Sequence, residues 1–423
     1  MSEQTLVLGD ASYTPVCVIA MSEPCGDRPA FHEWTIHGRD NIEGGTVMLQ
    51  ETIGIMFDSR MYRGIPAGRT GQESLANYEQ AAASYGLTPC FLRLEDIDSD
   101  QKTCLAYVKK EGRYVRERMP LPSVIHNRSL QLRRTEQHQI TKLMLQGIQV
   151  FNVRNRYRKD HIHDMLHQDL ALREHLPHAV KATPESLAYM MEHYDDLVIK
   201  PCSGSIGHGI MRVFQRDGQW KLTCETKAAR RGWATFRLSK GQLPSSTLRR
   251  IFRHAYLIEE RIPLLRYEGR PVDLRVSVQR GSDGLWGITG MFAKAAPAHT
   301  FVTNIAQGGK VMKLEEALGS GEPGFDLGRL ERRIGFVALR IAQILAASLP
   351  HLADLGLDLG ITRSGQIYFI ECNGRDQRYG FRKAGMSEHW KSTYSKPMAY
   401  GRLLLEQNSR IPRQPQTYDR RSY

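Results

Sequence analysis

One segment near the end of the chain, LGLDLGITRSGQIYFIECNG at 355–374, restricts the fold more than any other. Two mostly apolar runs flank Ser364–Gly365, and glycine supplies the positive φ that a two-residue hairpin turn needs. With this turn at the centre of an antiparallel pair, Asp358 lies directly opposite Glu371. Asn373, two residues later, projects from the same face because side chains alternate along a strand. The segment therefore predicts a β-hairpin with two carboxylates and one amide on one face.

The two opposed acids of this predicted hairpin indicate a metal. Carboxylates about 5 Å apart across a strand pair repel each other, whereas a divalent cation between them makes the pairing favourable. Mg²⁺, or Mn²⁺ in its place, takes carboxylate and amide oxygens together with substrate phosphates. An alternative without metal stays open, in which Asp358 lies at a wet strand end and Glu371 pairs with Arg375 or Arg378. The opposite face is apolar and is expected to enter a core; it consists of Leu357, Leu359, Ile361, Tyr368 and Ile370.

A second constraint is VIKPCSGSIGHGI at 198–210, where Lys200 ends an apolar run just before a glycine-rich turn. Glycines let the backbone approach a bound group, and successive N–H groups can form an anion cradle. Phosphate loops of the P-loop and dinucleotide types open a helix, but the residues after this turn are strand-like. We therefore predict a β-hairpin flap over an anion, with Lys200 beneath it as a point charge. His208 in this turn is expected to be exposed rather than catalytic. The flap positions expected near the anion are Ser203, Gly204, Ser205, Gly207, His208 and Gly209.

Composition narrows the class of protein. A chain of 423 residues predicts two or three domains, and 41% hydrophobic with 24% charged residues is ordinary for a globular protein. No apolar run has the length that spans a bilayer, and the N-terminus lacks a basic segment followed by an apolar one. The cysteines are scattered and never spaced C-x-x-C, which argues against a zinc site or a disulfide framework. We therefore expect a cytoplasmic protein without a membrane segment.

The net charge of +13 and a pI near 9.4 favour an anionic partner. Basic clusters occur at 154–161, 229–233 and 248–254, but apolar residues interrupt them. No recognition-helix, zinc-finger or RNA-module signature accompanies them, so a dedicated nucleic-acid role is not expected. A phosphate-binding cleft or a solvated basic face accounts for the charge.

The pattern of strands and helices divides the chain into four segments. Residues 1–50 are predicted as a small β-rich unit, because short strand-like pieces alternate with Gly, Pro and Asp. Residues 52–150 alternate strand, helix and strand, which is typical of a small open α/β domain. Residues 151–407 contain the flap, several longer strands, the acidic hairpin and the helix LERRIGFVALRIAQILAASL. Residues 408–423 form a basic, proline-bearing tail that is expected to be flexible.

From 151 to about 400 the order of these elements resembles the ATP-grasp superfamily, and within it the YheC/YheD-type branch of spore-coat-associated proteins. The earlier pieces IGIMFDSRMYRGIPAGRTGQESLANYEQAA and LPSVIHNR look like the pre-ATP-grasp domain of that superfamily. The implied fold class is mixed α/β (α+β), with an ATP-grasp domain, its flap at 201–209 and its metal hairpin at 355–374. The stretches that carry the resemblance are FNVRNRYRKDHIHDML, LVIKPCSGSIGHGI, YLIEERIPLLRYEGRPVDLRVSVQR, ITGMFAK with VTNIAQGG, and LGLDLGITRSGQIYFIECNG.

The resemblance implies a role for each of several cations. Lys159 and Lys200 would reach the ATP phosphates, and Arg275 would face them from a neighbouring strand. Lys294 stands where related sequences have a basic residue and would join Lys200 and Arg275 in catalysis. Two alternatives stay open, because Lys159 also fits a solvated helix face and Arg275 also fits an ion pair with Asp273 on its own strand.

The same resemblance implies where the adenine and the acceptor would lie. Glu259, Glu260 and Ile262 would form the hinge that reads the base, mainly through backbone groups. Asn304, within TNIAQGG, would line the acceptor side of the cleft. These four positions depend on the resemblance alone.

For the acidic hairpin, the resemblance implies that Asp358, Glu371 and Asn373 hold one or two Mg²⁺ ions. The sequence departs from many relatives immediately afterwards, where NGRDQR stands in place of N-x-x-P. Arg375, Asp376 and Arg378 are therefore expected to contact a carboxylate or phosphate of the substrate.

The implied activity is that of an ATP- and Mg²⁺-dependent carboxylate–amine ligase. In such an enzyme the acceptor carboxylate attacks the γ-phosphoryl group of ATP, and an amine then displaces phosphate from the acyl phosphate to give an amide. The substrates would be amino acids, peptides or similar small carboxylates with their amines. The alternatives are a phosphotransferase on the same scaffold and a non-catalytic, spore-coat-associated nucleotide-binding protein, and with them a spore-associated location.

Overall fold

Three β-sheets organise the part of the chain that the structure describes. The structure is a computed structural model. The expected β-rich unit at 1–50, the tail from 411 and Ser205 of the expected flap lie outside the described residues. The described ranges are 51–130, 133–204, 207–226, 232–298, 300–319, 324–349 and 351–410.

The first sheet combines parallel and antiparallel pairing. Its strands are β1 (Glu51–Met56), β2 (Leu87–Leu92), β3 (Ile97–Asp98), β4 (Thr103–Lys110), β5 (Arg113–Pro120), β6 (Val124–Asn127) and β7 (Gln149–Phe151). β1 lies between β2 and β6, parallel to both, and β7 continues the parallel part. Ile53, Ile55 and Ile125 are fully buried, as expected for parallel strands that are covered on both faces.

The second sheet is antiparallel throughout and carries the glycine-rich turn. Its strands are β8 (Ala179–Lys181), β9 (Asp196–Pro201), β10 (Met211–Arg216), β11 (Gln219–Glu225), β12 (Trp233–Arg237) and β13 (Tyr256–Glu260). They lie in the order β12-β11-β10-β9-β13-β8. The glycine-rich turn joins the antiparallel strands β9 and β10 and opens no helix. The predicted hairpin at this place is therefore confirmed.

The third sheet contains the acidic hairpin. Its strands are β14 (Arg266–Tyr267), β15 (Arg270–Arg280), β16 (Trp286–Ala295), β17 (Lys310–Met312), β18 (Asp354–Ile361) and β19 (Ile367–Asn373). They lie in the order β17-β16-β15-β18-β19, with β14 paired to β15. Because β18 lies between β15 and β19, it is buried along its whole length. The alternative that placed Asp358 at a wet strand end is therefore wrong.

Helices cover these sheets. They are α1 (Ser59–Gly64), α2 (Leu75–Ala83), α3 (Arg134–Leu145), α4 (Lys159–His167), α5 (Pro184–His193), α6 (Ser245–Arg253), α7 (Leu314–Leu318), α8 (Leu327–Ser348), α9 (Tyr379–Lys383) and α10 (Ser387–Arg410). The expected helix LERRIGFVALRIAQILAASL is present as α8, whereas sequence reasoning missed α3, α6 and α10. α10 contains Pro397, which normally interrupts a helix. Within the described residues, no helix has the length and apolar character required to cross a membrane.

The acidic hairpin pairs Asp358 with Glu371, as predicted, but through a different turn. The turn has three residues between the bonded Thr362 and Gln366, so the pairing next to it is shifted by one residue. A β-bulge at Ile370 then restores the predicted partner. The shift changes the core face, because a one-residue slip exchanges the two faces of a strand. Tyr368 and Ile370, expected in the core, are half-buried, and the buried residues of β19 in the core are Ile367, Phe369 and Cys372.

Buried charges join the first sheet to the third. Arg128, just after β6, donates to Glu73 at 2.7 Å and to Asp354 of β18 at 3.0 Å. Arg378 donates to the same Asp354 at 2.5 Å and to the Tyr78 hydroxyl at 3.0 Å. All five side chains are buried. Such a network makes each partner necessary, since removing one member leaves an uncompensated buried charge.

Acid should destabilise the protein through His126, which is fully buried, stacks on Phe151 at 4.5 Å and lies 3.5 Å from Asp354. Burial lowers the pKa of His126 from 6.5 to about 4. Between those values the unfolded chain binds a proton that the folded chain does not, so stability falls as the pH falls, by about 3 kcal/mol in total. Urea denaturation at pH 7 and pH 4.5 measures this loss. We expect His126→Gln to remove most of it and the exposed control His138→Gln to retain it; equal losses in both variants would contradict the assignment.

Candidate functional site

A cleft between the second and third sheets brings together several of the residues that the sequence analysis singled out. The cleft opens to solvent and has a cavity volume of about 140 Å³. Residues of β9 and β13 line one wall, and residues of β19 line the other. The expected site residues on these walls are Lys159, Lys200, Glu259, Glu260, Ile262 and Glu371.

Lys200 lies near the end of β9 at the bottom of this cleft. It is only 7% exposed, and its Nζ lies 2.7 Å from Glu259 Oε2. The same Nζ donates to the carbonyl oxygen of Ile370 at 3.2 Å. A buried ammonium group needs such partners. An anion that enters the cleft therefore competes with Glu259 for this lysine.

Lys159 is the first residue of α4 and reaches the opposite wall. Its Nζ lies 3.0 Å from Glu371 Oε1, and its side chain is only 12% exposed. Its backbone N–H donates to the carbonyl oxygen of Cys202 at 2.9 Å. This hydrogen bond connects the start of α4 to the first residues of the glycine-rich turn. The alternative of a solvated helix face is therefore wrong. Glu371 pairs with this lysine and not with the downstream arginines.

Asp358 is held by two cations, one on the adjacent strand β15 and one on β16, the next strand beyond it. Arg275 donates to both of its carboxylate oxygens, at 2.8 and 3.2 Å, and Lys294 Nζ lies 2.8 Å from Oδ1. Burial by itself raises the pKa of Asp358, but the charges of Arg275 and Lys294 outweigh it and lower the pKa to about 2. The carboxylate is therefore ionised and surrounded by positive charge. The alternative that paired Arg275 with Asp273 is wrong.

Asp273 is a residue of this site that sequence reasoning considered only as a partner for Arg275. It lines the cleft, is 3% exposed and lies 3.2 Å from Lys294 Nζ. Thr303 donates its hydroxyl to the other carboxylate oxygen. Burial raises the pKa of Asp273 to about 6. Asp273 lies two residues before Arg275 and therefore on the same face of β15. This spacing is the sequence signal that could have identified Asp273 as a site residue.

The glycine-rich turn lies close to the loop that contains Val302, on the opposite side of the cleft. Gly207 and Gly209 have φ values of 74° and 79°, which other residues rarely adopt. A Cβ at Gly207 would lie 3.1 Å from Val302, so glycine permits this close approach. His208 is exposed, as predicted, and its Nδ1 lies 3.0 Å from Glu225. The other described flap positions among the expected residues are the exposed Ser203 and the half-buried Gly204.

Two of the residues expected to read the base or to line the acceptor side each use a side-chain oxygen in a hydrogen bond within the protein. Glu260 accepts a hydrogen bond from the backbone N–H of His178 at 2.9 Å. Asn304 is half-buried and accepts from the N–H of Ala306 at 2.8 Å. Ile262 lies on the cleft wall next to this stretch. Recognition of a ligand by Glu260 and Ile262 would thus depend on backbone groups, and the assignment stays a prediction.

The two arginines expected to contact substrate differ in their surroundings. Arg378 is 1% exposed and is engaged by Asp354 and Tyr78, as described above. Its predicted substrate contact is incompatible with this burial, and its role is structural. Arg375 is partly exposed and lies 3.2 Å from Asp58 at the end of the first sheet. Substrate contact by Arg375 stays a prediction.

The sequence matches one protein family over this whole region. Residues 147–404 match the family model described as YheC/D like ATP-grasp. The chain belongs to this family. The match spans the second and third sheets together with the cleft between them, so the ATP-grasp fold predicted from the sequence is confirmed.

Two curated relatives come from Bacillus subtilis (strain 168). Endospore coat-associated protein YheD is 23% identical over 399 residues, which cover 89% of this chain and 84% of that protein. Endospore coat-associated protein YheC is 19% identical over 265 residues, which cover 60% and 69% respectively. Both are relatives of this ATP-grasp chain along most of their own length.

Solved structures with a similar fold include two synthetases. D-alanyl-alanine synthetase A from Vibrio cholerae has a TM-score of 0.49 and 13% identity, covering 85% of this chain and 100% of that chain. The D-cycloserine synthetase DcsG has a TM-score of 0.48 and 12% identity, covering 84% and 99%. At these values the similarity says nothing about substrates.

The oxygen donors of the acidic hairpin, of which Glu371 lines the cleft, are suited to a hard divalent cation. Asp358 and Glu371 are direct cross-strand partners, and Asn373 follows two residues later on the same strand. The described residues contain no cluster of three His, Cys, Asp or Glu side chains typical of a closed metal site. Two carboxylates and one amide instead match the partial coordination of Mg²⁺, which leaves positions for water and phosphate oxygens. The residues therefore fit the ion that the ATP-grasp family implies.

Proposed function

We propose that the chain is an ATP- and Mg²⁺-dependent carboxylate–amine ligase. Its acceptor would be an amino acid, a peptide or a similar small carboxylate, and the product an amide. Asp358, Glu371 and Asn373 would hold the metal, and Lys159 and Lys200 the phosphates. Membership of the ATP-grasp family supports the use of ATP. The two curated relatives carry the name endospore coat-associated, so the developing spore is the proposed setting alongside the cytoplasm.

One observation carries the proposal: the lysines of the cleft are paired with its acids. Lys159 contacts Glu371 at 3.0 Å and Lys200 contacts Glu259 at 2.7 Å, all within one cleft. Buried ion pairs are a weak source of stability, because desolvation offsets most of the attraction. Such pairs are more readily explained if the lysines bind a polyanionic ligand and the carboxylates bind a metal cation. A magnesium–nucleotide complex supplies both charges at once.

The mechanism uses positioning and fixed charge. Asp358, Glu371 and Asn373 would hold Mg²⁺, which would supply positive charge to offset the charge of the phosphates. Lys159 and Lys200 would hold the triphosphate in line with the acceptor carboxylate, and Arg275 and Lys294 would stabilise the charge that develops on the transferring phosphoryl group. The acceptor oxygen forms a bond to the γ-phosphorus as ADP leaves. The amine then attacks the acyl carbon, phosphate departs with that oxygen, and the amine loses a proton.

Amide formation tests this proposal directly. The full chain is incubated with ATP, MgCl₂ and pools of amino acids and dipeptides, and products are identified by mass spectrometry. The expected result is one ADP and one phosphate released for each amide, with no amide when carboxylate or amine is omitted. A phosphorylated acceptor that persists in the presence of amines would instead identify a phosphotransferase. No ADP release with any pool would contradict an enzymatic role on these substrates.

A further inference from the structure

The segment NGRDQR begins at Asn373 and stands where many relatives have N-x-x-P. It contains a buried acid, Asp376, that contacts the guanidinium group of Arg275. Asp376 is 1% exposed. Its Oδ1 accepts from Nη1 of Arg275 at 3.1 Å, and its Oδ2 accepts from the hydroxyl of Ser277. Arg275 uses its other two nitrogens, Nε and Nη2, on Asp358. All three nitrogens of this guanidinium group are therefore fixed, two by the proposed metal ligand and one by Asp376.

The neighbouring strand leaves space for this contact. Gly356 of β18 lies beside Asp376 and Arg275, and a Cβ at this position would collide with Asp376 Oδ1. The same Cβ would lie 3.1 Å from Nη1 of Arg275. Any side chain at this position would thus displace the acid from the guanidinium group. Glycine at 356 is required by the contact itself, since its φ is not in the positive region.

Asp376 also connects the site to the first sheet. Its backbone carbonyl accepts from Nη2 of Arg128 at 2.7 Å. Arg128 follows β6 and is itself fixed by Glu73 and Asp354. A continuous series of buried polar contacts therefore runs from the first sheet through Asp376 to Arg275. The position of the Arg275 guanidinium group therefore depends on how the first sheet packs against the third.

We propose that Asp376 is a positioning residue that fixes Arg275, and through it Asp358, for the metal–nucleotide site; this inference rests on the proposed function. Its negative charge balances part of the charge of Arg275. Without that balance, the guanidinium group would hold Asp358 more strongly and the net positive charge beside the metal position would rise. Both effects oppose a divalent cation. They do not oppose the phosphates, which are themselves anionic.

The test measures thermal stabilisation of the full chain by ADP, with and without MgCl₂. Asp376→Asn keeps the shape of the side chain and removes its charge. It should raise the Mg²⁺ concentration for half-maximal stabilisation by about 10- to 100-fold, while the effect of ADP without Mg²⁺ stays within about twofold. Gly356→Ala displaces the same contact without altering a charge and should shift the Mg²⁺ requirement in the same direction. The matched control is Asp169→Asn, which removes another arginine-paired carboxylate, bonded to Arg340 on α8.

The outcomes separate the two proposals. If wild type shows Mg²⁺-dependent stabilisation and both Asp376→Asn and Gly356→Ala respond like Asp169→Asn, the positioning role is overturned and the proposed function stands. If Asp376→Asn does not fold, Gly356→Ala and Ser277→Ala, which removes one hydrogen bond to Asp376, decide the matter by the same criterion. If wild type itself shows no Mg²⁺-dependent stabilisation, the proposed site is wrong, and the positioning role is overturned with it.

Discussion

Replacing Glu371 by glutamine should reduce ATP turnover by at least about 100-fold, equivalent to ~2.7 kcal/mol of transition-state stabilisation. Glutamine keeps the size of the side chain and one carbonyl oxygen, but it loses the charge that the proposed metal requires. The fold should survive, because Glu371 is 29% exposed and its partner Lys159 lies at the cleft surface. A coupled assay of ADP release at saturating Mg²⁺ measures the loss, and circular dichroism checks the fold.

The control for this variant is Glu316→Gln, which removes the acid of another lysine–glutamate pair, 2.9 Å from Lys310 and outside the cleft. It should leave turnover unchanged. Asp358→Asn should also abolish turnover, but it leaves Arg275 and Lys294 buried without their shared anion and is expected to destabilise the protein by about 3–5 kcal/mol. Near-normal turnover of Glu371→Gln with saturating Mg²⁺ would show that this residue holds no essential metal.

Magnesium and nucleotide should stabilise the protein together and not separately. Mg²⁺ alone must displace Lys159 from Glu371 and leave an unpaired ammonium group, and ADP alone must leave unpaired carboxylates. When both bind, every charge has a partner, so each ligand raises the affinity for the other. At a concentration about 100-fold above Kd, the pair should raise Tm by about 3–4 °C for a chain of this size, whereas either ligand alone should raise it by less than about 1 °C.

The variant Lys159→Met should change the two Tm shifts in opposite directions, which a general loss of stability would not do. The variant leaves Glu371 without its lysine, so Mg²⁺ alone should stabilise it more than it stabilises wild type. ADP with Mg²⁺ should stabilise it less, because a phosphate partner is missing. Differential scanning fluorimetry of wild type and Lys159→Met without ligand, with each ligand alone and with both measures these shifts. Additive shifts in wild type, or no gain for Mg²⁺ alone in Lys159→Met, would contradict the exchange of ion-pair partners.

The sequence contains enough information to predict the strand pair that carries the acids, but not the way in which it forms. Asp358 faces Glu371 as predicted because two departures compensate: the turn is one residue longer than expected, and Ile370 is bulged. Turn length and bulges depend on tertiary packing as well as on local residue preference. The same departures explain why Tyr368 does not lie on the predicted core face.

Buried charges were the main feature that could not be predicted. Arg378 and Asp376 look like solvent-exposed or ligand-binding residues in NGRDQR, because arginine and aspartate are rarely buried unless they are paired. Their partners, Asp354 and Arg275, lie in strands that are distant in the sequence, and only the fold brings them together. The charge on a segment therefore did not reveal whether it faces the cleft or the interior. α10 was missed for a local reason, since Pro397 lies inside it.

The most direct test of the metal–nucleotide site is a crystal structure of the full chain with Mn²⁺ and a non-hydrolysable ATP analogue. Anomalous scattering locates the manganese without reference to the protein model. The expected result is a peak within about 2.5 Å of carboxylate oxygens of both Asp358 and Glu371 and of a phosphate oxygen, with Lys159 moved from Glu371 to the phosphates. A peak elsewhere, or a nucleotide bound while the lysine still contacts Glu371, would contradict it.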